Sequence, residues 1–395
     1  MAKLEQFCLT VPSDNGRSTR WVTGRFLKKL ARDFFSLPTA LYGDELATTA
    51  SSVTKCLKEL GKEAVLSLMR RPQVHVFLCC ATSAFQERNI PLARLRAREL
   101  LLQIVFEMSL DGTLREDVQW NAPFPLERLM SPTHSKDLSL AGVASLSFSS
   151  TGCQSEGVDL QWDANMFPKL DTGFVLSLAD SNPMSDFEAH PDKEGNQLSL
   201  GDTAVEGWLE TMVTALRVVA EGLPGLYREM SFIHQQFIPV GTDDEKHLSA
   251  SYQESVGTIY MTLHPQLLTM VEAIIHEFQH NKINMLFHVD PVLENAFFPL
   301  FSSPVRPDPR PLHGVLLAAH AFVPVAELYR RFVIEENPLS RRGGFVERFK
   351  HIIASNTAAI DVLVAHAKPT RLGQAVIDEM VSLNDSHRAF MEERG

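Results

Sequence analysis

The chain has 395 residues, of which 45% are hydrophobic and 22% are charged. This balance is typical of a folded, water-soluble protein and excludes a fibrous repeat or a chain that is disordered throughout. The net charge of −11 argues against a general nucleic-acid binder, because such a protein must neutralise phosphates with basic residues. The five cysteines are odd in number and form no Cys-x-x-Cys pair, so we expect a reduced, cytoplasmic chain without disulfides or a cysteine zinc site.

Two further features predict that the chain neither leaves the cell nor enters a membrane. The N-terminus has no apolar core behind a basic start, so nothing in it directs export. The longest mostly apolar stretch, residues 314–329, contains a histidine, a proline and a glutamate. It is too short and too mixed to predict a membrane span.

The first third of the chain has the period of amphipathic helices. Apolar residues recur there at three- and four-residue spacing, with few helix breakers, in residues 21–36, 51–69 and 91–110. From about Leu138 the pattern changes to short β-tolerant runs separated by turn residues. These runs cover residues 138–148, 158–162 and 173–179.

The polar residues 181–201, with two prolines and two glycines, predict a mobile loop or linker. Residues 202–221 have the helical period again. Two strands are predicted at 237–240 and 257–263, on either side of a turn-rich segment. The predicted fold class is therefore α+β, mainly α-helical with a small, loop-rich β portion.

Residues 276–280 read His-Glu-Phe-Gln-His, a His-Glu-x-x-His sequence inside a segment of helical period. A chain of this composition is expected to contain such a pentad by chance about 0.03 times. On a helix His276 and His280 project from one side, one turn apart, so their ring nitrogens can converge on a single metal ion. The apolar residues of the segment fall on the nearly opposite face, which predicts imidazoles that face a cleft.

A third ligand has to come from elsewhere, and the second apolar segment, residues 310–331, is the obvious source. His313, His320 and Glu327 interrupt that segment at seven-residue spacing, on one helical face. Pro324 offers no amide hydrogen to the carbonyl of His320, so the helix should bend there. We therefore rank His320 first, His313 second and Glu327 third, and predict a metal site between two C-terminal helices.

Spacing alone leaves the metal and the reaction open, because neutral imidazoles bind both zinc and iron. A zinc metallopeptidase would use Glu277 as the general base that activates water, with Glu327 or Glu294 as the third ligand. A non-haem iron oxygenase has three facial protein ligands and leaves room for a 2-oxo acid and dioxygen. A peptide-binding scaffold with a structural metal site is a third interpretation.

The residues around the motif resemble the 2-oxoglutarate-dependent peptide β-hydroxylases that carry a His-Glu-x-x-His motif and are encoded near ribosomal peptide natural products. The resemblance covers about residues 230–335. Its main blocks are residues 276–282 (His-Glu-Phe-Gln-His-Asn-Lys), 303–311 (Ser-Pro-Val-Arg-Pro-Asp-Pro-Arg-Pro) and 312–322, and the segments 239–241 and 249–251 are similar too.

This resemblance implies Fe(II) as the metal, 2-oxoglutarate as the co-substrate, and hydroxylation of the β-carbon of a residue in a precursor peptide. It implies that His276 and His280 are ligands. Some relatives carry the third histidine at the position of Leu317, and this chain departs from them in having His320 and His313 instead. Glu277, our candidate catalytic residue, would then orient a ligand or fix the motif helix.

Arg306 and Arg310 flank a rigid Pro-Asp-Pro between the motif and the second apolar segment. A guanidinium fork matches a carboxylate in two-point contact. We therefore predict that Arg310 holds a carboxylate of 2-oxoglutarate, with Arg306 as the substitute. The alternative is that these arginines pair with Asp308 or with surface acids.

We divide the chain into an N-terminal helical region (1–135), a loop-rich, partly β region (136–201) and a metal-binding catalytic region (202–395). The predicted partner is a precursor peptide, with neither nucleic acid nor membrane. The strand at 257–263 either presents an edge to that peptide or is a paired strand in a small sheet, which is the alternative that we favour.

Overall fold

The structure is a computed structural model that describes residues 7–156, 159–170, 173–185, 189–190, 193–301 and 309–394, with the backbone alone for residues 189, 190, 193 and 194. It is 57% helix and 12% strand, with the strands in several small sheets. The prediction of a mainly helical α+β fold is confirmed at this level. The division into three regions stays a prediction, and buried residues from Phe7 to Met380 belong to one hydrophobic cluster.

Helices fill the first part of the chain, as the apolar period predicts. Helices α1 to α5 span Arg17–Ser36, Asp44–Leu60, Lys62–Met69, Pro72–Gln86 and Ile90–Leu110. Sequence reasoning did not identify α4, because this helix is buried on nearly all sides and therefore lacks an amphipathic stripe. The start of this helix is predictable, because Pro72 occupies its first turn, where the amide hydrogen that proline lacks would have no partner within the helix.

Short antiparallel strands follow α5. Strands β1 to β5 span Val118–Asn121, Arg128–Ser131, Lys136–Ser139, Ser145–Ser149 and Gly152–Gln154. They form a sheet of order β1-β4-β5 and a separate β2-β3 pair. The predicted run 138–148 is not one strand, because a turn at Gly142, with a φ of 76°, separates β3 from β4.

The centre of the chain contains less strand than we predicted. Of the run 158–162, residue 158 lies outside the described residues, and Trp162 makes only an isolated bridge to Leu138. The run 173–179 contains the short strand β6. In the predicted loop 181–201, the described part includes a two-stranded pair. These strands are β6 (Val175–Leu176), β7 (Ala189–His190) and β8 (Lys193–Glu194).

The last part of the chain alternates small strands with long helices. Its elements are α6 (Val205–Gly222), α7 (Pro224–Ile233), β9 (Gln236–Thr242), β10 (Ser249–Ala250), β11 (Thr258–Leu263), α8 (Leu267–Phe287), β12 (Leu300–Phe301), β13 (Arg310–Pro311), α9 (Leu312–Ile334), α10 (Phe345–His366) and α11 (Arg371–Glu392). The three predictions of an element at 202–221, 237–240 and 257–263 are confirmed as α6, β9 and β11.

The sheet that carries the motif helix has the strand order β10-β11-β9-β6. Strand β11 pairs in parallel with β9 and antiparallel with β10, so both of its edges are occupied. The favoured interpretation of a paired strand is confirmed, and the suggestion of a free peptide-binding edge at 257–263 is wrong. Ile259 and Met261 join the main core, whereas Tyr260 lies in a small separate cluster, as the period of two predicts.

Helix α9 runs without a break through Pro324. The carbonyl of His320, which loses its usual amide donor to this proline, instead accepts a hydrogen bond of 3.3 Å from the side-chain amide of Gln279 on α8. The same amide donates to the carbonyl of Thr10 at 2.6 Å. One glutamine of the motif therefore joins the N-terminal segment, α8 and α9.

Among the described residues, α9 is the one helix that is long and apolar enough to cross a membrane. Of its most apolar window, 72% is buried inside the protein. Such burial is typical of the core helix of a soluble protein, because a helix that is apolar all round packs in an interior. The cytoplasmic location stays a prediction.

His75 on α4 makes the stability of the fold depend on pH. Its side chain is buried, and burial lowers its pKa to about 4, although a hydrogen bond between Nδ1 and the carbonyl of Met69 opposes this shift. In the unfolded chain the imidazole takes up a proton near pH 6.5. Between these two values the unfolded state binds more protons, so stability falls as the pH is lowered.

We predict that His75→Gln flattens this pH dependence. Between about pH 7 and pH 4 the native protein should lose about 3 kcal/mol more than the variant, because one buried histidine no longer has to stay neutral. Urea unfolding at several pH values measures the difference. His351→Gln, which replaces an exposed histidine, is the control and should keep the native slope. Equal slopes for the native chain and His75→Gln would contradict the prediction.

Candidate metal centre

The motif lies in the middle of α8, where the helix has one apolar and one histidine-bearing face. Ile274, Ile275 and Phe278 are fully buried, whereas His276 and His280 are half-buried. The imidazole rings of the two histidines stand edge to face, with their centroids 4.4 Å apart. The predicted helix and the predicted separation of its two faces are both confirmed.

One close group of potential metal donors is found in the part of the chain that the structure describes. It consists of His276, Glu277 and His280, and one donor atom from each residue lies within 4.8 Å of the others. Two imidazoles and a carboxylate are a donor set that suits both zinc and non-haem iron. All three residues come from two turns of a single helix.

The imidazole of His280 is in the protonation state that a ligand needs. Burial lowers its pKa, and the nearby carboxylate of Glu277 opposes the shift only in part. The ring is therefore neutral at neutral pH, and its nitrogen lone pair is available. Its Nδ1 atom is buried and has no hydrogen-bond partner among the described residues. An unpartnered ring nitrogen beside a second imidazole is free to bind an ion, so the residues present fit a divalent metal.

Glu277 is buried, and both of its carboxylate oxygens accept hydrogen bonds from serine hydroxyls. The Oγ atoms of Ser249 and Ser251 lie 2.7 Å from Oε1 and Oε2, respectively. Sequence reasoning assigned no role to these serines. The signal was present, because two hydroxyls at a spacing of two residues share one face of a strand.

His320, our first-ranked third ligand, lies outside the close donor group. Its side chain is fully buried, and neither ring nitrogen makes a hydrogen bond of standard geometry within the described residues. Burial lowers its pKa well below the usual value, and the charges of Lys282 and His280 lower it further. His320 is thus within electrostatic range of the motif, and its role as the third ligand stays a prediction.

The other two candidates on α9 have different surroundings. His313 is half-buried between Phe287 and Phe297, with ring centroids 4.5 and 5.3 Å away. Burial lowers its pKa, and so does the charge of His280, which shows that His313 lies near the motif. It also lines a cavity of about 710 Å³.

The carboxylate of Glu327 pairs with basic residues of α9 and α11. Its carboxylate accepts hydrogen bonds from Arg330 and Arg331 at 2.8–2.9 Å and lies 3.1 Å from Nε2 of His387. Burial raises its pKa, but these hydrogen bonds outweigh burial and lower it overall. A carboxylate with this many partners serves the packing of α9 against α11, and it does not belong to the close donor group.

The structure describes only one of the two arginines that we predicted to bind 2-oxoglutarate. Arg306 lies outside the described residues, as does Asp308. Arg310 forms part of β13, where it lies opposite Phe301, and its Cδ atom is 3.4 Å from the position that a Cβ would have on Gly314. Arg310 is therefore half-buried beside the first turn of α9, and its binding role stays a prediction.

Comparisons with known proteins give no relative from which a role could be transferred. No protein-family model matches the chain, and a search of curated proteins finds no match. The resemblance of the segments around the motif to a known family therefore stays a prediction. The function has to be argued from the site itself.

We predict that both motif histidines are required for metal binding. His276→Ala and His280→Ala should each weaken Co(II) binding by at least about a hundredfold, because each removes one coordinate bond from a small donor set. Isothermal titration calorimetry measures the affinity. His351→Ala, on the exposed face of α10, is the matched control and should bind like the native protein. Unchanged affinity for Co(II) in either motif variant would contradict the prediction of a metal centre at this motif.

Proposed function

We propose that the chain is an Fe(II)- and 2-oxoglutarate-dependent dioxygenase that hydroxylates the β-carbon of a residue in a ribosomally made precursor peptide. The observation that carries the proposal is the close group of His276, Glu277 and His280. The resemblance of the segments around this group to the peptide β-hydroxylases supports the choice of iron and 2-oxoglutarate over other metal chemistry.

Each residue of the group has a part in this proposal. His276 and His280 would hold Fe(II), and His320 is the proposed third ligand. When bound, Fe(II) with 2-oxoglutarate and dioxygen supplies the oxidation of the β-carbon. Glu277 orients the site from a fixed position, because its oxygens are held by two serines.

Two aromatic features suit the binding of a peptide substrate. The ring of Phe322 on α9 packs against the imidazole of His276, with centroids 4.8 Å apart. The cavity that His313 lines is bordered by Phe287, Phe297 and Phe298 and offers room for a peptide side chain. Aromatic walls of this kind bind apolar parts of a ligand.

Arg310 is the proposed anchor for the distal carboxylate of 2-oxoglutarate. It stands at the start of α9, the helix that also carries His313, His320 and Phe322. A guanidinium group binds a carboxylate through two parallel hydrogen bonds, which fixes both the position and the orientation of the co-substrate.

A zinc metallopeptidase is the second candidate, and the position of Glu277 favours it. The carboxylate lies within 4.8 Å of an imidazole donor atom from each motif histidine, and a general base has to stand beside the metal in this way. The hydroxyls of Ser249 and Ser251 occupy one acceptor site on each oxygen, and a carboxylate has about four. Glu277 therefore keeps the capacity to accept a proton.

Turnover with oxygen separates the two candidates. We predict that the protein, reconstituted with Fe(II) and 2-oxoglutarate without oxygen and then exposed to it, forms succinate, and that a precursor peptide gains the mass of one oxygen. Mass spectrometry detects both products. Peptide cleavage that depends on zinc, without succinate, would instead establish the peptidase. Glu277→Gln should abolish such cleavage and leave part of the iron-dependent turnover.

We predict that Arg310→Gln raises the KM for 2-oxoglutarate by about tenfold or more, because a charged hydrogen-bond pair contributes about 1.5–3 kcal/mol. Succinate formation at several 2-oxoglutarate concentrations gives the KM. Arg341→Gln, which changes an exposed arginine near Glu336, is the control. An unchanged KM in Arg310→Gln would transfer the role to Arg306, whose substitution is then the next test.

A further inference from the structure

The buried carboxylate of Glu277 differs from those of Glu229 and Glu107, each of which forms an ion pair with a basic residue. Among the described residues, Lys282 pairs with Glu229 at 2.7 Å, and Arg71 pairs with Glu107. The described part of the chain contains no ion pair between Glu277 and a lysine or arginine, although its side chain is only 2% exposed. Burial of a negative charge without a cation is costly.

Two neutral hydroxyls take the place of that cation. Ser249 in β10 and Ser251 just after it present their Oγ atoms to the same carboxylate, each at 2.7 Å. Hydroxyl donors satisfy the lone pairs of the oxygens without neutralising the charge. The negative charge of Glu277 is thus fixed in place, buried, and within 4.8 Å of the imidazole donor atoms.

Asn281, one turn after Glu277 on α8, contacts both Ser251 and the backbone of Glu277. Its Nδ2 atom lies 3.2 Å from Oγ of Ser251 and 3.0 Å from the carbonyl of Glu277, and its Oδ1 accepts a hydrogen bond of 2.6 Å from the amide of Gly257. Asn281 donates to the Ser251 hydroxyl, so the hydroxyl hydrogen is left for Glu277, whose carboxylate oxygen at 2.7 Å lies closer to Oγ than its carbonyl oxygen at 3.2 Å. A Cβ at position 257 would lie 2.8 Å from the carbonyl oxygen of Ile233, so glycine is needed there.

We infer that Ser249 and Ser251 are positioning residues of the metal centre, which hold the uncompensated charge of Glu277 against the two imidazoles and thereby raise the affinity of this face for a divalent cation. The inference rests on the metal centre of the proposed function and not on its reaction. Loss of an outer partner of this kind weakens metal binding by about 10–100-fold.

Titration with Co(II), without 2-oxoglutarate or oxygen, tests the inference. The double variant with Ser249→Ala and Ser251→Ala should raise the Kd for Co(II) about 10–100-fold and change the visible absorption of the bound ion. The double variant with Ser249→Thr and Ser251→Thr keeps both hydroxyls and should restore affinity and spectrum. If the double alanine variant does not fold, Ser249→Ala alone should raise the Kd by about tenfold.

Ser255→Ala is the matched control. Ser255 is also buried and close in sequence, but its hydroxyl bonds Thr258 at 3.1 Å and not Glu277. It should bind Co(II) like the native protein. Native affinity and spectrum in the double alanine variant, or an equal loss in Ser255→Ala, would overturn the positioning role. Cobalt binding with the expected serine effect, but without succinate formation, would refute the oxygenase and leave this inference standing.

Discussion

Helix α8 runs through the interior, and every polar side chain that it carries there needs a partner, because an unpaired buried polar group costs about 1–3 kcal/mol or more. Four of its buried polar side chains have partners in four directions. Gln279 binds the N-terminal segment and α9, Asn281 binds Gly257, Lys282 binds Glu229 on α7, and Glu277 binds the serines at β10. These contacts fix the rotation of α8 about its own axis. The face that carries His276 and His280 is the one left half-exposed.

The partners of α8 also explain why the metal motif depends on distant parts of the chain. Thr10 accepts a hydrogen bond from Gln279, and the amides of Leu9, Thr10 and Val11 all donate to the carboxylate of Glu379 on α11. The N-terminal segment is thus held between the motif helix and α11. Pro324 contributes to the same junction, because the carbonyl that it leaves unpaired is the second acceptor of Gln279.

The sequence predicts those features of the fold and of the site that depend on the spacing of residues within one helix or strand. Histidines four residues apart on a helix must share a face, so the pair His276 and His280 was predictable, as were the long amphipathic helices. The partners of Glu277 were not, because Ser249 and Ser251 lie 28 and 26 residues away and meet it only through the pairing of β10 with β11. The third ligand could not be predicted for the same reason. The seven-residue spacing on α9 shows which residues share a face of that helix, but it does not show which of them lies close to α8.

The role of Glu277 follows from its hydrogen bonds to two serines. Its carboxylate lies within 4.8 Å of the imidazole donor atoms, close enough for its charge to act on an ion that they hold. To become a ligand, Glu277 would have to leave Ser249 and Ser251, and hydrogen bonds to a charged group contribute about 1.5–3 kcal/mol each. A carboxylate that stays with its serines acts on the ion through its charge and through hydrogen bonds. That position suits both an orienting group in an oxygenase and a general base in a peptidase, so the third protein ligand and the co-substrate, rather than Glu277, decide the chemistry of this site.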